Sequence, residues 1–365
     1  MNKKIKIMQI IPNLRLAGAE IMVENLSAGL HKMGYDVKII SLYSNKSAIT
    51  ERLETIGIPI YSLNKKRGFD FKIIIKLFEV FRREKPDVIH THLYSTTYAI
   101  PAALFAKIPV KIHTVHNVAN KEAEKFHKVL NGFFYKFFNV IPVAISPLIK
   151  ESIIKNYSFQ NINLPMIYNG IDFERIITKC DYEISYDKIK ILHIGRFSEQ
   201  KNHTGLVESF KLVRNKIPNV VLQLIGEGSL EDEIRQKVKE LDLEDSVEFL
   251  GLKSEVSPYL NGADIFTLVS LWEGMPITLI EAMSTGLPIV VTGVGGVPDM
   301  IKDGYSGIIV ENDKEIIAEA IIKLIKNKEL RERLGNAARV ESNKFSSKEM
   351  ASKYIELYIK TLMNN

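Results

Sequence analysis

The sequence predicts an α/β fold with two doubly wound parallel sheets, one in each of two Rossmann-like domains. Its 365 residues are enough for about two domains. Short β-branched segments alternate with helical patterns along the chain, which is typical of βαβ units. The pattern also begins twice, with KIKIMQIIPN at residues 4–13 and KIKILHIGRF at residues 188–197. We expect the domains to face each other across a cleft, because such sheets bind ligands outside the carboxyl ends of their strands.

The first half of the chain alternates strands and helices in a regular order. Its first helix is indicated by Met22, Leu26, Leu30 and Met33, which share one helical face, and by Gly34 as its stop. The predicted strands are KIKIMQII, DVKIISL, IPIYSL, PDVIHTH, KIHTVHN and VIPVAIS. Further helices are predicted from about residue 71 to 83, over TTYAIPAALFAK, and from about residue 121.

The second half repeats this alternation. Its predicted strands are KIKILHI, VVLQLIGEG, VEFLG, DIFTLVS, LPIVVTG and SGIIV. Helices are predicted from about residue 202, over LEDEIRQKVKEL and over ITLIEAMST, and three helical segments close the chain. Between the halves, YNGID is followed by the polar segment KCDYEISYDK, which is typical of a linker. We therefore predict domains at residues 1–168 and 169–345 and a final helix within 346–365.

The composition excludes several classes of protein. The chain is 46% hydrophobic and 25% charged, which is typical of a globular protein. No apolar stretch reaches the ~18–20 residues that a membrane span needs, and the first residues indicate a strand rather than a signal peptide. The single cysteine, Cys180, leaves no internal disulfide and no multi-cysteine metal site. These features predict a cytoplasmic location.

Charge is distributed unevenly along the chain. Residues 1–170 contain 24 Lys and Arg against 12 Asp and Glu, whereas residues 171–365 contain 25 against 31. The basic first half suggests an anionic partner, which could be nucleic acid, a membrane surface or a phosphorylated substrate. A lysine-rich surface exposed only to solvent is the alternative. In the same half, FKIIIKLFEVFRREK and FHKVLNGFFYKFFNVIP are amphipathic, and indicate core-facing helices first and membrane-interface helices second.

Two glutamates, Glu273 and Glu281, bracket a nearly apolar segment in LWEGMPITLIEAM. Pro276 is predicted to be the first residue of a helix that runs to Thr285 and stops at Gly286. Glu273 then lies in the loop after the strand DIFTLVS, and Glu281 lies inside the helix. A helix start favours anions and hydroxyl groups, so the two carboxylates could hold separate parts of a long ligand. They are also consistent with a solvated loop residue and an ordinary exposed helix residue.

Cations and glycines are predicted at the ends of other strands. Arg196 and Lys201, in GRFSEQKNH, follow the strand KIKILHI and suit a diphosphate, although a surface loop with incidental charge remains possible. The loops GVGGVPD and GEGSLEDE contain glycines, Gly226 and Gly228 in the second, that let backbone approach a phosphate. Neither loop is a full dinucleotide fingerprint, since Pro298 stands where the first would need its last glycine.

In the first half, the candidate residues also lie at strand ends. Gly18 is in the turn between the first strand and the first helix, where a backbone cradle for phosphate is expected. His90, His92 and His116 end two other strands. His90 and His92 point to the same side of one strand, as a metal pair would, but no third ligand lies nearby in the sequence. We therefore expect hydrogen-bonding or substrate-positioning histidines, and catalysis without a metal.

Six segments occur in one order and carry a family resemblance: GAE, TVHN, YNGID, GRFSEQKN, GEGSL and EGMPITLIEA. Over essentially the whole chain they resemble the retaining GT-B glycosyltransferases of family 4, glycosyl transferases group 1. The combination of the E-x7-E segment with the Arg/Lys loop is the most specific part. The resemblance implies a GT-B fold with an acceptor-side first domain and a donor-binding second domain. It also implies that the last helix, at about residues 347–363, crosses back to the first domain.

The resemblance implies roles for individual residues. Arg196 and Lys201 would hold the diphosphate of a nucleotide-diphosphate sugar, and Glu273 would bind sugar hydroxyls. The other implied contacts are Gly274, Met275, Pro276 and His116 with the sugar, Glu281 with the ribose, Gly18 with the β-phosphate, and Gly226, Gly228, Leu252 and Lys253 near the base. Two positions depart from the family pattern, Ala17 where a second glycine is usual and Asp299 where a glutamate is usual.

The implied activity is a retaining, metal-independent transfer of a hexose-type sugar that needs no cofactor. The expected donor is UDP-linked, and the expected acceptor is a glycan or a lipid-linked molecule in bacterial surface polysaccharide synthesis, such as that of capsule or lipopolysaccharide. We expect a cytoplasmic protein with peripheral contact to an anionic membrane, at the inner face of the plasma membrane, and no nucleic-acid partner. The alternatives are a nucleotide-sugar epimerase on the same fold and a non-catalytic scaffold that binds nucleotide sugars.

Overall fold

The computed structural model of the protein describes residues 4–44, 46–117, 125–157, 164–185 and 187–364. The chain divides into two units. Unit 1 consists of Met1–Asp172 and Phe345–Asn365, and unit 2 of Phe173–Lys344. Each unit contains one six-stranded parallel sheet, which confirms the predicted α/β class with two doubly wound sheets. The assignment of an acceptor side and a donor side to the two units stays a prediction.

The sheet of unit 1 has the strand order β3-β2-β1-β4-β5-β6. Its strands are β1 (Lys6–Ile11), β2 (Asp36–Ser41), β3 (Ile60–Ser62), β4 (Val88–His92), β5 (Val110–Val115) and β6 (Val140–Ala144). The connecting helices are α1 (Gly18–Lys32), α2 (Ala48–Thr55), α3 (Lys72–Glu84), α4 (Thr96–Phe105), α5 (Lys125–Phe137) and α6 (Pro147–Tyr157). This is the strand order of a Rossmann fold, in which the winding reverses between β1 and β4.

The sheet of unit 2 has the order β12-β11-β10-β7-β8-β9. Its strands are β7 (Ile189–Ile194), β8 (Val220–Ile225), β9 (Val247–Gly251), β10 (Ile265–Leu268), β11 (Ile289–Thr292) and β12 (Ile308–Val310). Its helices are α7 (His203–Lys216), α8 (Glu231–Glu240), α9 (Ser257–Gly262), α10 (Ile277–Thr285), α11 (Val297–Met300), α12 (Lys314–Lys326) and α13 (Lys328–Ser342). The topology is that of unit 1, with the reversal between β7 and β10.

The last helix, α14 (Ser347–Met363), belongs to unit 1, although the chain reaches it only after passing through unit 2. It packs against α1 where Gly29 has no side chain. A Cβ at Gly29 would lie 3.0 Å from the carbonyl oxygen of Ser347 and 3.1 Å from the Cβ of Ala351. Tyr354 and Tyr358 of α14 are fully buried, so this helix adds two phenol groups to the interior of unit 1.

The central strands of unit 1 are buried on both faces, as expected for a parallel sheet covered by helices. Every residue of β4 and of β5 is buried. These strands are nevertheless not purely apolar, because they carry His90, His92 and His113, and the neighbouring β1 carries Gln9. Buried polar groups need hydrogen-bond partners, so we expect these side chains to be bonded to other side chains or to the backbone.

Four helices, α2, α6, α9 and α11, are not predicted by the sequence pattern. Too few apolar positions fall within them to show a helical period; α6, for example, buries only Ile149 and Ile153. The start of α2 is set locally by a capping box between Ser47 and Thr50. Of the helix predicted from about residue 121, residues 121–124 lie outside the described part of the chain, and α5 is described from Lys125.

The two amphipathic segments of unit 1 form α3 and α5. α3 buries its apolar face, including Ile73 and Leu77. On α5, Phe134 is buried, but Phe133 and Phe137 are 48% and 61% exposed. The core-facing interpretation is therefore only partly correct for both helices, since Ile75 of α3 is also exposed. Within the described residues, no helix combines the length and the apolarity that crossing a bilayer requires.

Candidate functional site

The loops after β7 and β10 carry the charged residues that the sequence singles out in unit 2. β7 lies beside β10, so the carboxyl ends of these two parallel strands are neighbours. This pair marks the reversal of winding, which is where doubly wound sheets bind ligands. Arg196 and Lys201 follow β7, and Glu273 follows β10. The strand order thus brings together residues from distant parts of the chain.

Lys201 and Glu273 form an ion pair. Lys201 Nζ lies 2.5 Å from Glu273 Oε1, and Ser270 Oγ donates to the same oxygen at 2.6 Å. Gln200 Nε2 donates to Glu273 Oε2 at 3.3 Å. The side chain of Glu273 is only 4% exposed, so its interpretation as a solvated loop residue is wrong. Ser270 and Gln200 are missed by the sequence analysis, since their only signal is that they lie close in sequence to Glu273 and Lys201.

Arg196 is exposed, and its side chain makes no hydrogen bond or ion pair with the residues that the structure describes. The backbone around it is tightly held. A Cβ at Gly226, where φ is +147°, would lie 2.1 Å from the carbonyl oxygen of Gly195, and a Cβ at Gly228 would lie 2.2 Å from that of Phe197. Both glycines therefore let β8 and its following turn pack against the Arg196 loop. Their predicted place near a base remains untested.

The glycine-rich loop GVGGVPD packs against the turn between Glu273 and α10. Gly274, Met275 and Pro276 are buried, and the N–H of Gly296 donates to the carbonyl oxygen of Gly274 at 3.1 Å. A Cβ at Gly295, where φ is +62°, would lie 1.8 Å from the carbonyl oxygen of Glu273. Gly295 thus permits a close approach of its backbone to this turn. The approach of this loop to a phosphate stays a prediction.

The α10 helix itself differs from the prediction by one residue at its start. Pro276 has an extended backbone and is the N-cap, so the prediction that it is the first helical residue is wrong. The helix ends at Thr285 with Gly286 in the left-handed conformation, as predicted. Glu281 lies half-buried inside the helix. The contact of Glu281 with a ribose stays a prediction.

Leu252 and Lys253 follow β9, the outermost strand beside β8. They therefore lie at the carboxyl ends of the strands, as the loops after β7 and β10 do. Leu252 is 42% exposed, and Lys253 Nζ lies 5.5 Å from the ring centroid of Tyr259. An exposed apolar side chain and an amphipathic lysine stem at this edge offer a surface on which a flat ring can lie.

In unit 1, α1 begins at Gly18, at the carboxyl end of β1. The N-cap residue is Ala17, which provides no side-chain hydrogen bond to the first turn. Gly18 is exposed, and a Cβ there would meet nothing within 4 Å. Unlike Gly226 and Gly228, Gly18 is not required by packing within the protein.

The histidines of unit 1 are joined by hydrogen bonds. His92 Nδ1 lies 3.0 Å from His116 Nε2, and His92 Nε2 lies 2.8 Å from Gln9 Oε1. His90 contacts the hydroxyl groups of Tyr358 and Thr114, each at 2.7 Å. Both nitrogens of His90 and of His92 are thus engaged, which confirms their hydrogen-bonding role. Across the described ranges, no three His, Cys, Asp or Glu side chains are arranged to hold a metal ion.

These histidines are neutral at pH 7. Burial, with a smaller contribution from His113, lowers the pKa of His116 to about 3. Burial likewise lowers the pKa of His90 and of His92 well below the usual value, and neighbouring histidines add to the shift. The site of unit 1 therefore offers hydrogen-bonding groups without positive charge.

Models of known protein families match both halves of the chain. The model described as Glycosyltransferase Family 4 matches residues 16–175, and the model described as Glycosyl transferases group 1 matches residues 176–341. Together they span both units apart from the chain ends and α14.

Three proteins illustrate the likeness over nearly full length. The chain is 27% identical over 350 residues to UDP-Gal:alpha-D-GlcNAc-diphosphoundecaprenol alpha-1,3-galactosyltransferase of Escherichia coli, covering 90% of each chain. It is 28% identical over 374 residues to N-acetyl-alpha-D-glucosaminyl L-malate synthase of Bacillus anthracis, covering 96% of each. The crystal structure of Anabaena Alr3699/HepE in complex with UDP and glucose matches with a TM-score of 0.85 at 18% identity, covering 97% of this chain and 99% of that one. The chain belongs to the glycosyltransferases of family 4, glycosyl transferases group 1, and has their GT-B fold.

Proposed function

We propose that the protein is a retaining, metal-independent hexosyltransferase whose donor is a nucleotide-diphosphate sugar. The observation that carries this proposal is the Lys201–Glu273 ion pair at the ligand-binding edge of unit 2, with Arg196 in the same loop as Lys201. Glycosyl transfer builds negative charge on the departing diphosphate. Cations that are already fixed at that position stabilise the transition state most effectively.

In this mechanism Arg196 and Lys201 hold the diphosphate. The exposed guanidinium of Arg196 can make a bidentate contact to phosphate oxygens. Lys201 is held by Glu273, so its ammonium needs little reorganisation when the donor binds. Glu273 Oε2 accepts one long hydrogen bond, from Gln200, which leaves lone-pair capacity for a sugar hydroxyl.

The other roles follow the family pattern. His116 contacts the sugar near the anomeric carbon, Glu281 holds the ribose, and Gly18 approaches the β-phosphate. The turn of Gly274, Met275 and Pro276 supports the sugar, and the segments at Gly226, Gly228, Leu252 and Lys253 lie near the base.

Retention of configuration agrees with the chemistry of this site. Glycosidases need two carboxyl groups, one as acid and one as base or nucleophile. The buried carboxylate of Glu273 is already bonded to Lys201 and Ser270. In the mechanism that the family resemblance implies, the acceptor hydroxyl attacks from the side of the leaving group, and the donor phosphate takes its proton.

A UDP-linked donor and an anionic acceptor are supported by the relatives. The Escherichia coli protein is named for UDP-Gal and a diphosphoundecaprenol acceptor, and the Bacillus anthracis protein for L-malate. Unit 1 has a cavity of about 490 Å³ beside the ends of β1, β2 and β3, and it contains two cationic side chains. Its lining residues are Asn13, Arg15, Tyr43, Ser44, Asn64 and Lys65. We propose that this cavity binds the anionic group of the acceptor. We also propose that the reaction belongs to bacterial surface polysaccharide synthesis.

A peripheral membrane contact is supported by an exposed apolar surface on unit 1. α4 packs against both α3 and α5. These three helices, together with Phe71 directly before α3, expose large apolar side chains among lysines and arginines. The exposed side chains are Phe71, Ile75, Phe105, Val129, Phe133 and Phe137. Such a surface suits the interface of an anionic bilayer at the cytoplasmic side. Sedimentation with anionic vesicles at low salt tests this contact, and a protein that stays in the supernatant disproves it.

The transferase activity is tested by comparing Arg196→Ala with Arg333→Ala, a matched change at an exposed arginine of unit 2. Arg333 donates to the carbonyl oxygen of Gly304 at 2.9 Å. We expect wild type to release UDP from one UDP-hexose in the presence of EDTA. Arg196→Ala should lower kcat by about 10²–10³ with unchanged thermal unfolding, the loss typical of removing one charge-stabilising donor. Arg333→Ala should leave the rate unchanged.

The outcome is checked on the product as well as on the rate. NMR of the anomeric proton should show the same configuration in the product as in the donor sugar. An inverted product would disprove retention, and loss of activity in EDTA that Mg²⁺ restores would disprove metal independence. If no nucleotide sugar is turned over and none raises the unfolding temperature, the transferase proposal fails.

A further inference from the structure

We propose that Phe197 and His203 are positioning residues whose stacked rings hold together the two ends of the loop that carries Arg196 and Lys201. We call residues 196–202 the cation loop. The stack is formed within unit 2 alone. Its importance for catalysis rests on the proposed function, in which the two cations hold the diphosphate of the donor.

The two rings lie at opposite ends of the cation loop. Phe197 directly follows Arg196, and His203 is the first residue of α7, shortly after Lys201. Their ring centroids are 4.2 Å apart, and the ring planes differ by 22°. Both side chains are buried. Because a stacked pair is favourable beyond the area that it buries, this contact resists any change in the distance between the two ends of the loop.

The stack is continued by a further ring on each side. Phe249 of β9 lies 5.8 Å from Phe197 between ring centroids, again with 22° between the planes. His193 of β7 meets the ring of His203 edge-on at 4.7 Å. His193 Nδ1 in turn lies 3.0 Å from the carbonyl oxygen of Thr267 in β10. Three strands of the sheet thus hold the stack, so the cation loop has a fixed position relative to the sheet.

The side chain of Arg196 depends on this support. It makes no hydrogen bond or ion pair with the residues that the structure describes, so only its backbone determines where it starts. That backbone is held at Phe197, whose N–H donates to the carbonyl oxygen of Glu227 at 3.1 Å and whose carbonyl oxygen accepts from the N–H of Leu230 at 3.2 Å. The buried ring of Phe197 therefore fixes the point from which the guanidinium reaches a phosphate.

His203 contributes its ring rather than its nitrogen atoms. Neither nitrogen has a hydrogen-bond partner among the residues that the structure describes, although both are buried. Burial, with smaller contributions from His193 and Lys201, lowers the pKa of His203 to about 2. Burial likewise lowers the pKa of His193 to about 4. Both rings are neutral at pH 7, so they pack near Lys201 without repelling its ammonium group, and we expect that another flat, uncharged ring can replace His203.

Hydrogen exchange of the full-length protein tests the stack without any ligand. The N–H groups of Lys201 and Asn202 donate to carbonyl oxygens within the cation loop, each at 3.1 Å. We expect Phe197→Leu and His203→Leu to speed the exchange of both amides about three- to tenfold, the effect of losing one aromatic pair. His203→Phe should keep the wild-type rates. Unchanged rates in both leucine variants overturn the proposal.

Phe210→Leu is the matched control, because it makes the same change at a fully buried phenylalanine of α7 that lies outside the cation loop. It should lower the unfolding temperature and leave the exchange of the two loop amides as in wild type. If Phe210→Leu speeds their exchange as much as Phe197→Leu does, the stack has no special role and the proposal is wrong.

A second experiment asks whether the position of the cations affects binding and rate. With a UDP-hexose that wild type turns over, Phe197→Leu and His203→Leu should lower kcat about 10²-fold, the loss that a misplacement of about 1 Å can cause. Both should also weaken UDP binding in calorimetry. His203→Phe should restore most of each value, and Phe210→Leu should keep both at the wild-type level. Equal kcat and UDP affinity in Phe197→Leu and Phe210→Leu would disprove a positioning role.

A double variant shows whether Phe197 acts through Arg196. Once Arg196→Ala has removed the guanidinium, Phe197→Leu has less to misplace. The double variant should therefore lose less activity than the product of the two single losses. Losses that multiply in full would contradict an action through Arg196.

Failure of the two proposals can be told apart. Hydrogen exchange does not depend on activity, so an inactive wild type with the expected exchange rates refutes only the transferase function. An active wild type whose cation loop exchanges equally in all variants refutes only the stack.

Discussion

The two sheets of this protein have the same strand order, yet the sites at their reversal points differ in kind. In unit 2, the loops after β7 and β10 bring together a lysine and a glutamate as an ion pair, with an exposed arginine nearby in the chain. In unit 1, β1, β4 and β5 bring together an amide and two neutral imidazoles. The topology fixes where side chains meet, and the residue types at the strand ends decide whether the site is charged or neutral.

Burial explains why the two sites keep their character. The histidines of unit 1 lie within the strands or directly after them, where desolvation holds the rings neutral. The charged residues of unit 2 lie further out in the loops, and the one that is most buried, Glu273, has a cation and two hydrogen-bond donors around it. In these two sites, the charged side chains are either paired or exposed.

The largest expected difference between the two units is in their response to acid. A histidine whose pKa is lowered by folding binds its proton more readily when unfolded. Its contribution to stability is complete above the unfolded pKa of about 6.5 and is lost as the pH falls towards the folded pKa, by up to about 1.4 kcal/mol per pH unit. Folding lowers the pKa of four histidines in unit 1 and of two in unit 2: His90, His92, His113, His116, His193 and His203.

We therefore expect unit 1 to unfold before unit 2 at pH 5.5. The single tryptophan, Trp272, lies in unit 2, so its fluorescence follows that unit, while far-UV circular dichroism follows both. In urea at pH 5.5 part of the circular dichroism change should precede the fluorescence change, and the gap should narrow at pH 7.5. A gap that is equal at both pH values would contradict this account of unit 1.

The next effect concerns the ion pair of unit 2. Lys201→Met leaves the carboxylate of Glu273 buried without its cation, which should lower the free energy of unfolding by about 3 kcal/mol. Adding Glu273→Gln should recover part of that loss, because an amide costs less to bury than an unpaired charge. Urea denaturation followed by Trp272 fluorescence gives both values.

Lys237→Met provides the matched control for this pair. Lys237 and Glu208 are 2.8 Å apart, but their side chains are 29% and 32% exposed. Their separation should cost no more than about 1 kcal/mol. If Lys201→Met and Lys237→Met lowered the free energy of unfolding equally, burial of Glu273 would not add to the cost of removing its cation.

The smallest effects distinguish the glycines of the two sites. Gly295→Ala places a Cβ against the backbone of Glu273 at a positive φ, so we expect a loss of about 2 kcal/mol. Gly18→Ala should change stability by less than about 0.5 kcal/mol, since nothing lies near its Cβ. If Gly18 approaches the donor, Gly18→Ala should still weaken binding of the nucleotide sugar, as measured by calorimetry. Unchanged binding would remove Gly18 from the site.

Much of the fold can be predicted from the sequence because its signals are local. β-branched runs and helical periods give the order of the strands and of the longer helices, and Gly286 ends α10 as predicted. Arg196, Lys201 and Glu273 can be placed at strand ends for the same reason. Short helices such as α2 and α9 are not predicted, because a periodic pattern needs more turns than they have.

The partnerships within each site depend on the tertiary structure. Lys201 and Glu273 are 72 positions apart, and Gln9 and His92 are 83 apart. A pattern along the chain does not state that β7 lies beside β10 or β1 beside β4, since neither pair is consecutive. The need for glycine at position 295 is also visible only in the tertiary structure, because a side chain there would clash with the turn at Glu273. The sequence by itself determined the kinds of chemical groups and the strand ends that carry them. Only the pairing of non-consecutive strands decided which groups meet, because that pairing is fixed by burial of both sheet faces across the whole unit.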